Sequence, residues 1–303
     1  MVAKLHYESN LPQVEIARKI GVSTASVSRM LQRARDTGIV RIEVLDLART
    51  DELGGELAQL LGLKRVVVID LNSDMALGAL AEPLGLLMKE QGLKPGSVVG
   101  LGWGRAVREV ISVGLPNLPG IRVVALNGAM QQAAPHFQIN EFVRRAAEQT
   151  GGTPHFIHAP YLSSAALREA FLGDPSVQET TSLWDRLDCV IVGVGLPPHS
   201  ASSTGLGLAT KNEQAIHGAA GDVIRHYFDS NGTALPWDGE ERMIAASSEQ
   251  LRKAGLTIAL AASAEKASAI IGAARSGMIQ ALVTDTSTAH AMLDLLRPAA
   301  GIK

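Results

Sequence analysis

Ser97 to Val107 reads SVVGLGWGRAV: a short Val/Leu run, glycines at the alternate positions 100, 102 and 104, then an arginine opening a helical pattern. A continuous Val/Gly/Leu run bounded by glycine is the pattern of a strand buried on both faces. The residues after Leu101 predict a tight turn and a helix. The glycines at 100, 102 and 104 allow a turn with N–H groups pointing outward, and the helix starting near Arg105 adds its positive end, which together make an anion site. The spacing is G-x-G-x-G, so it is neither the dinucleotide G-x-G-x-x-G nor a Walker loop, because no lysine comes after it.

The same alternation runs outward from this segment. ELGGELAQLLG and LGALAEPLGLLMKEQG carry helical periods, with the strand-like KRVVVID between them. IRVVALNG, PHFIHAP, DCVIVGVG, LTIALAAS and ALVTDT are further apolar runs, mostly followed by helical stretches. Strands of this kind predict a mainly parallel sheet covered by helices, an α/β fold. Ligands of such sheets bind beyond the carboxyl ends of the strands. The expected rim residues are Gly102, Trp103, Gly104, Arg105 and Ala106, then Asn127 and Gly128, Gly193 and Gly195, and Lys266. Lys266 stands in the first turn of AEKASAIIGAARSG, where a cation opposes the helix dipole unless an anion compensates. Asp222 and Asp229 are candidate acceptors for sugar hydroxyls, or else turn and cap residues. Asp285 can cap the final helix.

The first 41 residues differ from this body. They carry seven Lys/Arg and three Asp/Glu, while the remainder carries 21 and 27, within a net charge of −2 for all 303 residues. A basic module on a slightly acidic body is the implied organisation. LPQVEIARKIGV places Val14, Ile16, Ala17 and Ile20 on one face of a short helix, which Gly21 ends. Ser23 can cap the next helix, whose inward positions are Val27, Met30, Leu31 and Ala34. Gly38 ends that helix, and the residues to Val44 alternate like the first strand of a wing. Two helices around a glycine turn describe a helix-turn-helix. Ser23, Thr24, Ala25, Ser26 and Ser28 are short enough to let the second helix lie deep in a major groove, with Arg29 able to reach a guanine edge. Arg33, Arg35 and Gln13 suit phosphates. Only Val2 to Ser9 is available for a supporting first helix, about two turns, which suggests a start upstream of Met1. The domains are expected at 1–48 and 52–303, with the polar DLARTDE as linker.

Composition excludes several classes. Apolar residues make up 46%, enough for a core, and no long uncharged apolar run or signal-peptide core is present. The single cysteine, Cys189, rules out an internal disulfide or a thiolate cluster and fits a reducing cytoplasm. No metal is expected, since His155 and His158 lack nearby ligand partners and His199 and His217 sit in loop-like contexts. No cofactor and no catalytic residue is assigned.

The pieces Gln13–Ile42, VVGLGWGRAV (98–107), VVALNG (123–128), HAPYLSS (158–164), DCVIVGVG (188–195), GAAGDVIRHYFD (218–229) and ALVTDTSTAHAML (281–293) resemble, in this order and over nearly the whole chain, the SorC family of sugar-binding transcriptional regulators. The resemblance implies an effector domain with the fold of glucosamine-phosphate isomerases and CoA transferases. It also implies operator DNA as partner, a phosphorylated sugar or sugar alcohol as effector, and a homo-oligomer, usually a tetramer. Gly102 to Ala106 would hold the effector's phosphate or polar head, with Asn127, Asp222 and Lys266 lining the pocket. Two departures stand out. Arg105 and Ala106 replace the threonines of many relatives, and Ala262 and Ser263 replace a glycine pair, so an unphosphorylated polyol stays open as effector. A sugar-phosphate isomerase carrying a DNA module, with Asp222 or Asp229 as base and Lys266 binding substrate, is the enzymatic alternative. A constitutive DNA-binding protein with an oligomerising body is the third.

Overall fold

The computed structural model describes residues 1–8, 11–37, 40, 47–70, 77–130, 138–198, 200, 213 and 216–297. The chain divides into two compact units, Met1–Asp46 and Leu47–Lys303. In the first, α1 (Gln13–Ile20) ends where Gly21 takes the left-handed conformation, φ 73°, and its N–H returns to the Ala17 carbonyl. After a three-residue turn α2 (Thr24–Asp36) begins, with the Ser23 hydroxyl accepting the Ser26 N–H at 3.1 Å. Ile16, Ala17, Val27 and Leu31 form the small core, with Val2, Leu5, Leu11 and Ile20 packed around it. Val14 and Met30 are exposed instead of inward. Each lies one helical step to the side of the buried ridge, and two short helices bury only a narrow stripe. Lys4–Glu8 forms a single π-helical turn. The expected wing strand and the Gly38 helix end lie outside the described residues.

In the second unit the polar stretch expected as a linker is helical from Leu47, because α3 (Leu47–Leu61) starts there and packs on β1 (Arg65–Ile69). The sheet continues through β2 (Val98–Leu101), β3 (Arg122–Ala125), β4 (Thr153–His155), β5 (Cys189–Gly193), β8 (Thr257–Leu260) and β9 (Ala281–Asp285). Their order is β1-β9-β8-β5-β2-β3-β4, and every pairing is parallel. All residues of β2, β8 and β9 are buried, as strands covered on both faces require. The α/β expectation is met. Six of the seven strands lie within the expected apolar runs, while the edge strand β4 is Thr-Pro-His and overlaps PHFIHAP only at Pro154 and His155.

The chain leaves β2 toward β3 and β4, whereas β5 lies on the other side of β2 and leads to β8 and β9. The crevice between the carboxyl ends of β2 and β5 is therefore the topological switch point. Short bridges roof this end: Asn127 to Ala245, Leu162 to Met243, and Gly195 to Asp222. Asp222 belongs to β6 (Gly221–Val223), which pairs antiparallel with β7 (His226–Phe228) in a separate hairpin.

Between these strands run the helices α4 (Ala81–Glu90), α5 (Arg105–Val113), α6 (Ile139–Thr150), α7 (Ala165–Gly173), α8 (Pro175–Thr181), α9 (Ser248–Lys253) and α10 (Ala267–Arg275). After β9 the last helix, α11 (Thr286–Leu296), is held by Asp285. Its Oδ1 accepts the Thr288 N–H at 2.8 Å and the Ser287 hydroxyl at 2.6 Å, and Oδ2 accepts the Thr288 hydroxyl at 2.9 Å. Oδ2 also takes the N–H of Ser263, a non-glycine residue at φ 125°. Asp285→Ala is expected to lower stability by about 2 kcal/mol or more, since a buried cap and three further donors lose one acceptor. Urea denaturation measures it, and an unchanged midpoint would show that the cap is redundant.

Candidate functional site

The three glycines of the β2 turn have three different jobs. At Gly100 a Cβ would stand 2.6 Å from the Leu126 side chain, so this residue is bare for core packing. At Gly102 a Cβ would come within 2.9 Å of Ile224, and its N–H donates to the Ile191 carbonyl of β5 at 2.9 Å. That N–H is therefore consumed by the sheet and does not point outward, contrary to the expectation for this loop. Only Gly104 uses the left-handed side of conformational space, at φ 132° and ψ 161°. It starts α5 and, as glycine, offers no side chain of its own to cap the helix. The positive end of α5 follows the end of β2, and this is the part of the expected anion site that the geometry retains. Arg105 is exposed at that end, while Ala106 and Trp103 are buried. The Trp103 indole meets Tyr161 edge-on at 4.9 Å between centroids and forms wall more than rim.

Lys266 closes the opposite side. It ends a 3₁₀ turn, Ala264–Lys266, and leads into α10. Its ammonium reaches inward and donates to the Val194 carbonyl at 2.7 Å. Burial first, then repulsion from Arg105, push its pKa down to about 8, against the pull of Asp222 and Glu265. The lysine is thus not a solvated surface cation. Asp222 is buried beside it, and burial raises its pKa despite the nearby Arg225 and Lys266 cations. Its Oδ2 accepts the Arg225 N–H at 2.8 Å. Gly195 lies flat against the other oxygen, where a Cβ would stand 1.9 Å from Oδ1. Gly195 and Asp222 also exchange backbone hydrogen bonds, 2.9 Å and 3.3 Å. Glycine is required at 195 because the carboxylate occupies the space a side chain would take.

Asn127 is fully buried, with Nδ2 donating to the Gly128 carbonyl at 3.0 Å and Oδ1 unpaired among the described residues. A Cβ on Gly128 would strike the Pro160 carbonyl at 2.6 Å, so this glycine serves the roof of short bridges. Gly193 ends β5. Asp229 takes the turn role that is the alternative for it. Its Oδ1 accepts the N–H groups of Asn231 and Thr233, at 2.8 Å and 2.9 Å, and those bonds hold its pKa down. It closes a turn after β7, where short Asx-type bonds satisfy the backbone more readily than a ligand could.

Sequence reasoning missed Arg225, Glu213, Tyr227 and Tyr161. Arg225 is buried, 3.3 Å from the fully buried Glu213, 3.1 Å from the Tyr227 hydroxyl, and 5.8 Å over the Trp103 ring. A single arginine inside the apolar run GDVIRHYF was the one available signal, since a long charged residue enters such a run only with partners. Cys189 is buried in β5, which pushes its thiol up to about 12 and makes it a packing residue. Among the described residues no group of three potential metal ligands occurs, and no helix is long and apolar enough to cross a membrane.

The first unit presents its own surface. Ser23, Thr24, Ala25, Ser28, Arg29 and Arg33 are exposed, Gln13 and Ser26 half-buried. Ser23 and Ser26 hydroxyls are 2.9 Å apart, and an Arg29 N–H approaches the Ser26 hydroxyl at 3.4 Å. The Arg35 side chain lies outside the described residues.

A family model described as "Putative sugar-binding domain" matches residues 46–294. The chain is 29% identical to the sorbitol operon regulator of Klebsiella pneumoniae, over 96% of each chain. It is 28% identical to the erythritol catabolism regulatory protein EryD of Brucella abortus, over 96% of this chain and 94% of that one. The crystal structure of the full-length sorbitol operon regulator SorC from Klebsiella pneumoniae matches with a TM-score of 0.77, at 28% identity over 96% of each chain.

The depressed pKa of Lys266 is a stability statement. The folded state releases this proton near pH 8 and the unfolded chain near 10.5, so the group's penalty is full below pH 8 and vanishes as pH rises past 10.5. Lys266→Met is expected to be more stable than the parent at pH 7, by roughly 1–3 kcal/mol. Melting curves from pH 7 to 10.5 should show the two proteins converge. A variant less stable at pH 7 would mean that the Val194 contact outweighs desolvation.

Proposed function

The chain belongs to the sugar-binding-domain family of SorC-type regulators, and from that premise we propose that it is a transcriptional regulator whose operator binding is set by a carbohydrate, polyol or phosphorylated sugar. The observation that carries this reading is the match to the sorbitol operon regulator over 96% of each chain. The site supports it chemically. Arg105, Lys266 and the positive end of α5 form a pole for an anion, while Asp222 offers an acceptor to hydroxyl groups. A phosphorylated sugar or sugar alcohol carries both complements in one small molecule.

In the amino-terminal unit α2 is the proposed reader. Thr24, Ala25, Ser26 and Ser28 let it approach base edges, Arg29 contacts a base, and Arg33, Arg35 and Gln13 contact phosphates. Operator half-sites imply at least two readers, hence a homo-oligomer, a tetramer by family resemblance. Such a protein works in the cytoplasm, where Cys189 stays reduced. Effector and DNA alter each other's affinity by one common factor, about 5- to 150-fold in typical couplings. A buried, proton-avid Asp222 also meets the first requirement of a sugar-phosphate isomerase. The regulator names of the full-length relatives favour regulation, and steady turnover of a phosphosugar by pure protein would reverse that preference.

Gel shifts on the chain's own promoter region, at fixed salt and with a panel of sugars, polyols and their phosphates, test the coupling. A retarded band whose midpoint moves with one of them is expected. Arg29→Ala should relax base preference, whereas Arg33→Ala should weaken all sequences alike and reduce the salt slope by about one. Affinity for a phosphorylated effector should hold below pH 8 and fall as pH rises through it, because the anion binds the protonated Lys266. Lys266→Met should remove that pH dependence. An affinity that ignores pH from 7 to 9 would show that Lys266 does not hold the anion.

A further inference from the structure

The turn joining β6 to β7 is built from the wrong residues for its shape. A two-residue hairpin with both central residues at positive φ is ordinarily made by Asn-Gly or Gly-Gly. Here the positions belong to Ile224, φ 43°, and Arg225, φ 70°. A β-branched residue in that region is a steric outlier, and arginine has no short polar group to compensate locally. Such backbone persists only where surrounding contacts over-determine it, and it clusters at ligand clamps. Both side chains have identifiable contacts. Ile224 presses on Gly102, at the root of the loop that starts α5. Arg225 spreads its guanidinium between Glu213, the Tyr227 hydroxyl and the face of Trp103, the residue after Gly102. Its carbonyl accepts the Trp237 indole N–H at 3.2 Å, and its own N–H holds Asp222 Oδ2.

The hairpin tip therefore grips both poles of the proposed pocket. One hand holds the loop that aims the α5 end and Arg105. The other holds the Asp222 carboxylate. We infer that Arg225 is a specificity-determining positioning residue: by clamping the hairpin tip to Trp103 and Glu213 it fixes the separation between the anion pole and the hydroxyl acceptor, so that the pocket selects phosphorylated polyols by chain length. The inference rests on the carbohydrate reading of the site. Arg225 itself is buried behind Trp103 and touches no ligand in this scheme, so it acts through Asp222 and the β2 loop.

The test compares the full chain with the double variant Glu213→Gln/Arg225→Gly. Glycine suits the left-handed backbone, and removing both charges leaves no buried ion unpaired, so the variant is expected to fold. Calorimetric titration uses four probes: inorganic phosphate, erythritol 4-phosphate, ribitol 5-phosphate and glucitol 6-phosphate. The parent should separate its best from its worst polyol phosphate by about tenfold or more, the scale of one misplaced carbon in a fitted pocket. In the double variant that spread should shrink to about threefold or less, with inorganic phosphate affinity unchanged, because Arg105, Lys266 and α5 remain. Equal loss for phosphate and polyol phosphates would make Arg225 a general scaffold and overturn the inference, as would a preserved spread. A parent that binds phosphate and all three polyol phosphates alike overturns it too. A parent that binds none of the four overturns the carbohydrate pocket itself. If the double variant does not fold, Arg225→Lys keeps the charge pair, loses the planar contact with Trp103, and must show the same selective narrowing.

Discussion

The contact between Gly195 and the Asp222 carboxylate organises the second unit. A carboxylate seated on a bare Cα brings the β6–β7 hairpin down onto the end of β5, and the paired backbone bonds lock it there. Without that seat the hairpin would have no fixed position over the switch point, and Asp222 would have no reason to be buried. The same contact sets the electrostatics. Burial makes Asp222 hold protons more tightly than a free aspartate, and Arg225 and Lys266 oppose that trend without abolishing it.

Around this node lies more buried charge than a fold needs. Arg225 and Glu213 form an ion pair with almost no exposure, Lys266 loses much of its proton affinity to burial, and two tyrosines hold their hydroxyl protons more tightly than usual because they are buried beside these groups. Buried ions seldom stabilise proteins relative to apolar residues of similar size. Left-handed Ile224 and Arg225, with Ser263 held at positive φ beside Lys266, add backbone cost at the same end of the sheet. Elsewhere the unit is conventional, with apolar strands such as β2 and β8 covered on both sides. Polarity and strain are thus concentrated where a parallel sheet changes winding direction, the place where such folds hold ligands.

The amino-terminal helices obey a different logic. Their core is four buried residues, and most polar side chains of α2 near Ser23 are engaged with one another or with solvent. Short side chains on a positively charged helix leave a surface that is shallow, wettable and close to its own backbone, suited to the floor of a groove. In the proposed reading one polypeptide therefore carries two polar surfaces of different kind, one on α2 for a nucleic-acid groove and one at the strand ends for a small molecule.

Much of this was legible in the amino-acid order. Six strands of the main sheet lie within apolar runs, because a strand buried among its neighbours is made largely of apolar residues and leaves that mark locally. The edge strand β4 is Thr-Pro-His and only overlaps the start of its expected run. The helix pair around Gly21, the Ser23 cap and the Asp285 cap are local for the same reason, since a cap and its partner lie within three residues. Gly104 and Lys266 could be named because they follow the ends of apolar strand runs, while the place of Asp222 on the separate hairpin was not legible. Tertiary structure decided the rest. It assigned Gly100 and Gly102 to packing, Asp229 to a turn and Met30 to solvent, and it brought Trp103 against Arg225, itself paired with Glu213, from more than a hundred positions away. The β6–β7 hairpin left no turn signature, because Ile-Arg is held in that shape by side-chain contacts, those with Gly102 and Trp103 more than a hundred positions away. Periodicity and caps are written between neighbours, and the sequence by itself determined them. The separation between a carboxylate and a helix end is set by close packing across the fold, and only the assembled chain decides it.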